Sequence, residues 1–228
     1  CGVIGIARDI TERLEQERRK DDFISMASHE LKTPVTSLKL YSQLLQRQIK
    51  EVATPPMSLS LGKMDTQINR LIILISDLLD ISKIQIGKLE FRNDTFSLHQ
   101  VVQDVVESLQ GTSHHTIEVK GKNSIKIYAD QDRIAQVLIN FLTNAIKYSP
   151  DADKVIVSQI LDKDKVTISV QDFGMGIPKG EQQKIYDRFF RAKGKKEGSI
   201  PGLGLGLYIS AEIVKQHGGK LWVNSTEG

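Results

Sequence analysis

The most reactive combination of side chains in this sequence lies in the segment FISMASHELKTP, residues 23–34. It sets His29 beside Glu30, and Thr33 follows one helical turn later. Residues four apart share a helix face, so His29 and Thr33 would project from one side with Glu30 flanking them. A carboxylate that accepts the ring N–H makes an imidazole a better nucleophile. The segment predicts a nucleophilic centre, although a lone His–Glu pair is more often an ordinary solvated pair.

A second group of polar side chains interrupts an apolar helix pattern. Asn140 and Asn144 lie four residues apart, and Lys147 and Tyr148 follow on the next turn. Asparagine is a poor interior helix residue and is costly to bury without a partner. Amide oxygens can ligate Mg²⁺, and a lysine one turn on can reach phosphates that share the ion. The pattern predicts a magnesium–phosphate site, with hydrogen bonds from these amides to neighbouring backbone as the alternative.

Two glycine-rich motifs come later in the chain. In the first, Asp172 directly follows a predicted strand, and Gly174 and Gly176 would let the backbone approach a flat ligand, although ordinary turns often look the same. In the second, GLGLGL at residues 202–207 opens a helix whose N–H groups and dipole favour a phosphate. It is not a Walker loop, because no GK[ST] follows, and it is not a Rossmann fingerprint, because it does not follow a strand.

The acceptor histidine would be positioned by a pair of long helices. Apolar residues recur every three or four positions from Ile24 to Ile49 and again from Leu61 to Ile86. Two prolines in the segment 53–56 predict the break between the helices, and Gly87 predicts the cap of the second. His29 lies one residue off the apolar seam, and Pro34 predicts a kink just after it. Two helices alone make a thin core, so the pattern predicts a dimeric four-helix bundle.

After Gly87 the periodicity alternates between strand and helix. Predicted strands cover residues 88–96, 116–120, 126–129, 155–161, 165–171 and 220–224, and predicted helices cover residues 98–110, 131–149, 179–189 and 203–216. Elements mixed in this way predict an α/β sandwich, a sheet with helices on one face. The motifs with Asn140 and Asp172 would therefore lie in a second domain.

Composition and charge exclude several classes of protein. The 228 residues carry a net charge of +3 and include a single cysteine, so there is neither a disulfide framework nor a multi-cysteine zinc site. The basic residues are spread along the chain, which argues against nucleic acid as a partner. The sequence contains no run of 18 or more apolar residues, so nothing in these residues could span a membrane. The chain opens without an initiator Met in the middle of a pattern, so we expect a piece of a longer protein.

Taken together and in this order, the motifs resemble those of a sensor histidine kinase of two-component signalling over roughly residues 10–228. They are His-Glu-x-x-Thr-Pro, Asn-x-x-x-Asn-x-x-Lys-Tyr, Asp-x-Gly-x-Gly, Phe189-Phe190-Arg191 and Gly-Leu-Gly-Leu-Gly-Leu. The resemblance implies the end of a PAS-like sensor domain at 1–10, a signalling helix at 11–22, a dimerisation and histidine phosphotransfer domain at 23–87, and a catalytic domain of the Bergerat ATP-binding type at 88–228.

The resemblance also implies a role for each matching residue. His29 would accept the γ-phosphate of ATP, Glu30 would orient and deprotonate it, and Thr33 would position water for dephosphorylating the partner. Asn144 would ligate Mg²⁺ with support from Asn140. The remaining nucleotide contacts would come from Lys147, Tyr148, Asp172, Gly174, Gly176, Ile177, Phe189, Arg191, Gly202, Leu203, Gly204, Leu205 and Gly206, with residues 192–206 forming a mobile lid.

The implied cofactors are ATP and Mg²⁺, with ADP as product, and the implied partners are a second copy of the chain and a response regulator receiver domain. These residues would be the cytoplasmic portion of a parent protein, and the sequence leaves open whether that protein is anchored in the cell membrane. The family usually has one more strand after residue 224, which this sequence lacks. A gyrase- or Hsp90-type ATP-driven clamp shares the nucleotide motifs, but the acceptor helix and Asn140, in place of a water-activating glutamate, disfavour it. A dimeric relay that binds nucleotide without transferring phosphate is the non-enzyme alternative.

Overall fold

The computed structural model describes residues 31–47, 49, 55–111, 113–121, 125–192 and 203–227. The chain divides into two compact units, Cys1–Leu89 and Glu90–Gly228. The predicted PAS-like tail, the signalling helix, His29, Glu30 and Gly202 lie outside the described residues, so what the sequence predicts about them stays a prediction. None of the described helices is long and apolar enough to cross a membrane.

The first unit contains the two predicted helices. Helix α1 covers residues 31–47 and continues through Pro34, and helix α2 covers Pro55–Gln85. Proline is tolerated at the start of α2 because the first N–H groups of a helix have no intrahelical partner. At the other end, Gly87 has a φ of +64°, and the N–H of Lys88 donates to the carbonyl of Lys83 at 2.8 Å. The predicted glycine cap is confirmed as a Schellman motif.

The two helices run antiparallel and share a small apolar core. Nε2 of Gln46 donates to the carbonyl of Leu61 at 3.4 Å, and Val35, Ile68, Ile75 and Leu79 are buried around Ile72. Five other members of the predicted seam remain 46–54% exposed in the single chain: Leu31, Leu38, Leu45, Met64 and Leu71. One copy of the hairpin therefore leaves much of its own seam uncovered.

Asp77 is a partly buried carboxyl on α2. Burial, and then the charge of Asp80, raise the pKa of Asp77 from 3.8 to about 6. Because the folded chain binds this proton more tightly than the unfolded chain, the stability that Asp77 contributes falls as the pH rises from 3.8 to about 6. We expect the carboxyl ¹³C resonance of Asp77, assigned with Asp77→Asn, to titrate with a midpoint near 6, and Asp80→Asn to move that midpoint down. A midpoint near 4, the ordinary value, would contradict the burial of this group.

The second unit is built from five strands, three α-helices and a single 3₁₀ turn among the residues that the structure describes. In chain order these are β1 (Asn93–Ser97), α3 (Leu98–Gln110), β2 (Thr116–Gly121), β3 (Lys126–Asp130), α4 (Gln131–Tyr148), β4 (Lys154–Asp162), β5 (Lys165–Gln171), the 3₁₀ turn (Lys184–Tyr186) and α5 (Gly206–Gln216). Strand β4 pairs in parallel with β2 and antiparallel with β5, and β1 and β3 form a separate antiparallel pair. The predicted α/β architecture is confirmed.

Helices α3 and α4 pack on the three-stranded sheet to form the core. Five residues on one face of α3 are buried: Leu98, Val101, Val102, Val105 and Val106. They meet Leu138 and Leu142 of α4 and the inward-facing Val155 and Val157 of β4. Burying side chains of this size stabilises a domain by about 1.5–3 kcal/mol each. This core holds α4, and with it Asn140 and Asn144, against a rigid support.

Asp130 joins the beginning of α4 to the end of α5. Its carboxylate accepts hydrogen bonds from the N–H of Arg133 at 3.0 Å and of Arg92 at 2.8 Å. Burial opposes ionisation and is the largest single influence, but these N–H groups and the charge of Arg133 together lower the pKa of Asp130. The N–H of Asp130 also donates to Nε2 of His217 at 3.0 Å, and Nδ1 of His217 donates to the carbonyl of Ile213. The C-terminal end of α5 is thereby tied to α4.

Four elements predicted from the sequence are wrong or misplaced. Residues 179–189 form turns and one 3₁₀ turn instead of a helix, and within them Nε2 of Gln182 donates to the carbonyls of Ile177 and Ser225. No strand forms over 220–224, where the structure pairs the segment with no other strand. Helix α5 begins at Gly206 instead of residue 203, since Gly204 has a φ of +70°. Strand β1 begins at Asn93, not at residue 88, because β3 offers only five residues for pairing.

Candidate active site

The two asparagines of α4 meet the N-terminus of α5. Nδ2 of Asn140 donates to Oγ of Ser210 at 2.9 Å, and Nδ2 of Asn144 donates to Oδ1 of Asn140 at 3.2 Å. Gly206, the first residue of α5, lies so close that an added Cβ would overlap Oδ1 of Asn140. The structure therefore brings the asparagine motif and the last glycine-rich motif together. The amides bond to side chains instead of the neighbouring backbone that the alternative interpretation named.

The C-terminal end of α4 holds the Asp172 motif. A Cβ at Gly174 would overlap the carbonyl oxygen of Tyr148, and the N–H of Met175 donates to that oxygen at 3.3 Å. Oδ1 of Asp172 accepts the N–H of Gly174 at 3.0 Å and so shapes the turn. The second carboxylate oxygen of this exposed side chain is not required for the turn. Glycine is needed at 174 because the turn lies directly on the helix end.

The next residues of this turn are held by the end of the chain. Gly176 has a φ of +68°, and a Cβ there would overlap the carbonyl oxygen of Thr226. The N–H of Ile177 donates to Oγ of Ser225 at 2.9 Å. Residues 172–177 are therefore fixed from two sides, by α4 and by the final segment, although the latter is not a strand.

Phe189 and Gly204 are also brought together. Phe189 has a φ of +61°, which a side chain as large as phenylalanine rarely adopts, and its N–H donates to the carbonyl of Gly204 at 3.1 Å. A Cβ at Gly204 would lie 2.5 Å from the carbonyl oxygen of Phe190. Backbone strain of this kind costs on the order of 1–3 kcal/mol and is concentrated at functional sites. Arg191 follows two residues later and is half-buried.

The other predicted nucleotide residues divide between surface and core. The Nζ atom of Lys147 lies 5.1 Å from the centre of the Tyr148 ring, so these two neighbours form one cationic and aromatic surface. Leu203 is 41% exposed, but Leu205 is 1% exposed and belongs to the core. The side chain of Leu205 therefore anchors the beginning of α5, and only its backbone could face a ligand.

The donor atoms at the junction of α4 and α5 fit a magnesium ion that is held mainly by phosphates. Among the described residues, no group of three or more His, Cys, Asp or Glu side chains could hold a metal ion. Nδ2 of Asn144 donates to Asn140, so Oδ1 of Asn144 is left to face outward. An amide oxygen is a suitable ligand for Mg²⁺. The first turn of α5 has no side-chain cap, and its N–H groups suit an anion.

Sequence reasoning missed Ser210 and Ser225. Both act as partners of predicted site residues, Ser210 for Asn140 and Ser225 for Ile177. A signal for Ser210 was present, because it is a hydroxyl four residues after Gly206 on a helix face whose other members, Ile209 and Ile213, are apolar. No comparable signal marks Ser225.

In the hairpin unit, the structure places Thr33 on the exposed surface of α1, where its carbonyl accepts a hydrogen bond from Oγ of Ser37 at 3.2 Å. His29 and Glu30 precede the described part of α1. Their predicted alignment with Thr33 on one face stays a prediction.

A helical hairpin followed by an α/β domain, with asparagine and glycine motifs that meet around α4, is the arrangement that the sequence predicts for the core of a sensor histidine kinase. Comparison with protein families agrees with this. Residues 19–87 match the His Kinase A (phospho-acceptor) domain, and residues 129–228 match the histidine kinase-, DNA gyrase B- and HSP90-like ATPase family.

Curated relatives match the whole chain. It is 33% identical over 235 residues to the sensor histidine kinase WalK of Bacillus subtilis and 35% identical over 234 residues to the sensor protein kinase WalK of Staphylococcus epidermidis. In both cases the match covers 100% of this chain and 38% of the relative. The chain therefore belongs to the sensor histidine kinases, and it spans about two fifths of the length of these relatives.

Solved structures share the fold. Full-length ShkA, crystallised with AMPPNP, has a TM-score of 0.66 at 22% identity over 90% of this chain and 44% of that one, a likeness in fold alone. The Acinetobacter baumannii histidine kinase AdeS has a TM-score of 0.53 at 26% identity, and the match covers 82% of this chain and 86% of AdeS.

Proposed function

We propose that this chain binds Mg-ATP in its second unit and transfers the γ-phosphoryl group to His29 in its first. The observation that carries the proposal is the junction of Asn140, Asn144 and Gly206, where two amides meet the positive end of a helix dipole. The acceptor motif around His29 lies in the same chain.

Each nucleotide group has a matching protein group. The free carboxylate oxygen of Asp172 would accept the adenine amino group, beside backbone that Gly174 and Gly176 keep open. The N–H groups at the start of α5 would bind phosphate, Lys147 would add charge, and Arg191 would contact the γ-phosphate. Magnesium, when bound at Asn144, would neutralise charge between the phosphates.

At the acceptor, a ring nitrogen of His29 would attack the γ-phosphorus. The nitrogen–phosphorus bond forms as the bond to the β,γ-bridging oxygen breaks, and ADP leaves. The proton on the other ring nitrogen passes to Glu30, which also holds the ring in the attacking tautomer. Asn140 supplies no carboxylate to activate water, which favours transfer to His29 over hydrolysis.

The phosphoryl group would then pass to an aspartate of a response regulator. Thr33 is exposed on α1, where it could orient water for the reverse loss of phosphate from that partner. Mixing labelled chain with a receiver domain would test both steps. Thr33→Ala should leave transfer unchanged and slow the loss of label from the receiver, and equal loss by both proteins would remove Thr33 from this role.

The functional unit would be a homodimer joined through the hairpins. In the single chain the seam leaves large apolar residues exposed. A second hairpin packed on this seam could supply the apolar cover that they lack. Sedimentation equilibrium should give twice the 25.5 kDa chain mass, and a single-chain mass would contradict the bundle.

One experiment separates the kinase from its alternatives. The protein is incubated with Mg²⁺ and γ-labelled ATP, and any retained label is tested for lability in acid and stability in alkali. Label with phosphohistidine chemistry is expected. Release of free phosphate without labelling would favour the ATP-driven clamp, and nucleotide binding with neither result would favour the dimeric relay.

A further inference from the structure

We propose that Ser210 is a positioning residue for the metal-bound nucleotide. Its hydroxyl accepts from the Asn140 amide and holds it in the orientation that the start of α5 favours, and this orientation decides which atom of Asn144 faces the ligand. The inference rests on the proposed function, because it concerns the same nucleotide site.

Ser210 is buried where a hydroxyl is not needed for packing. It is 2% exposed and lies on α5 between Ile209 and Ile213, which are also buried. Burying a hydroxyl is costly unless it is hydrogen-bonded, and here it accepts from Nδ2 of Asn140 at 2.9 Å. The position therefore carries a polar contact at a site that an apolar side chain could fill.

This contact fixes the Asn140 amide, and the orientation of Asn140 in turn sets that of Asn144. With Nδ2 of Asn140 directed to Ser210, Oδ1 of Asn140 must face the other way, toward Gly206 and Asn144. That oxygen accepts Nδ2 of Asn144 at 3.2 Å, which leaves Oδ1 of Asn144 to face outward. If the Asn140 amide were flipped, its Nδ2 would need the oxygen of Asn144 as an acceptor. Asn144 would then have only its NH₂ group facing outward, and an NH₂ group does not ligate magnesium.

The N-terminus of α5 supports the same orientation. Gly206 begins α5 and lies against Oδ1 of Asn140. Because the beginning of a helix carries partial positive charge, an oxygen is favoured there over an NH₂ group. Ser210 and the helix end therefore act on the two ends of one amide and hold it in one of its two orientations.

A purely structural role for Ser210 would be to pin α5 to α4. The bond between His217 and Asp130 already ties the far end of α5. Loss of pinning would weaken nucleotide binding whether or not magnesium is present, whereas loss of amide orientation would weaken only the metal-dependent part. The magnesium dependence of affinity therefore distinguishes the two roles.

The test is to titrate ADP, which cannot be turned over, into the full chain by calorimetry, once in excess Mg²⁺ and once in EDTA. We expect Ser210→Ala to weaken ADP binding about fivefold in Mg²⁺, the effect of one neutral hydrogen bond, and to leave binding in EDTA unchanged. Ser108→Ala is the control, since Ser108 is an exposed helix serine on α3 whose hydroxyl donates to the backbone carbonyl of Val105 at 2.7 Å, as a helix serine remote from the proposed site.

A double-mutant cycle provides the second readout. If Ser210 acts through Asn140, Ser210→Ala should have no further effect on magnesium dependence in the Asn140→Ala background. Should Ser210→Ala fail to fold, Ser210→Cys keeps the volume with a weaker acceptor and should show the same metal-dependent loss.

Three results would overturn the proposal: equal losses in Mg²⁺ and EDTA, no loss in either, or a wild type whose ADP affinity does not depend on Mg²⁺. Failure of the kinase function gives a different result, because a chain that binds Mg-ADP normally but never becomes labelled would leave the role of Ser210 standing.

Discussion

Replacing His29 with glutamine is expected to abolish labelling of the protein by γ-labelled ATP while nucleotide binding stays at the wild-type level. Glutamine keeps a polar side chain of similar length but has no nucleophilic nitrogen, since its amide lone pair is delocalised. Removing a nucleophile can cost on the order of 10⁶ in rate, far more than loss of a binding contact. Binding should survive because every proposed nucleotide contact lies in the second unit, beyond Leu89.

The measurement is retained label and ADP affinity, side by side. His114→Gln is the matched control, because His114 is an exposed histidine of the ATP-binding unit outside the proposed site. The control should label as the wild type does. Equal labelling of His29→Gln and the wild type would place the acceptor elsewhere and remove the central assignment of the proposed function.

Gly206→Ala is expected to weaken Mg-nucleotide binding by about 5- to 150-fold, which corresponds to the roughly 1–3 kcal/mol of an overpacked contact. An added Cβ would overlap Oδ1 of Asn140 and force that amide to rotate or α5 to move away. Either movement disturbs the orientation of Asn144. The phosphate-binding start of α5 would shift as well.

Two opposing effects decide whether Gly206→Ala raises or lowers the stability of the folded chain. Gly206 is helical and is not among the residues with positive φ, so alanine alone would stabilise the helix by roughly 0.5–1 kcal/mol. The free energy that the overlap with Asn140 costs should exceed that gain. Thermal unfolding can separate the two, because Asn140→Ala would remove the overlapping atoms and let Gly206→Ala stabilise the double variant relative to Asn140→Ala alone.

Gly111→Ala is the matched control for this substitution. Gly111 follows α3 with a φ of −78°, and a Cβ there would meet nothing within 4 Å. The Gly111→Ala variant should bind Mg-ADP as the wild type does. Normal Mg-ADP binding by Gly206→Ala would show that Asn140 can move aside without a loss of affinity. The junction of α4 and α5 would then not have the importance proposed for it.

The sequence determined the elements whose pattern is long and regular. Helix α3 (Leu98–Gln110) and strand β5 (Lys165–Gln171) have the predicted bounds, and the cap at Gly87 was also correctly predicted. Such patterns are local, because the side chains that bury one helix face or one strand face recur within a few residues. The order of the motifs was likewise sufficient to predict the family to which the chain belongs.

Only the tertiary structure determined how the motifs meet and what supports them. Asn140 and Ser210 are 70 residues apart, and Ile177 and Ser225 are 48 apart. Nothing in the local pattern around Ser225 indicates such a partner. The segment 179–189, which was wrongly predicted as a helix, also makes such a contact, because Nε2 of Gln182 donates to the carbonyl of Ser225, 43 residues away. Consecutive residues encode propensity and periodicity, but a hydrogen bond between distant segments exists only after the core has brought them together.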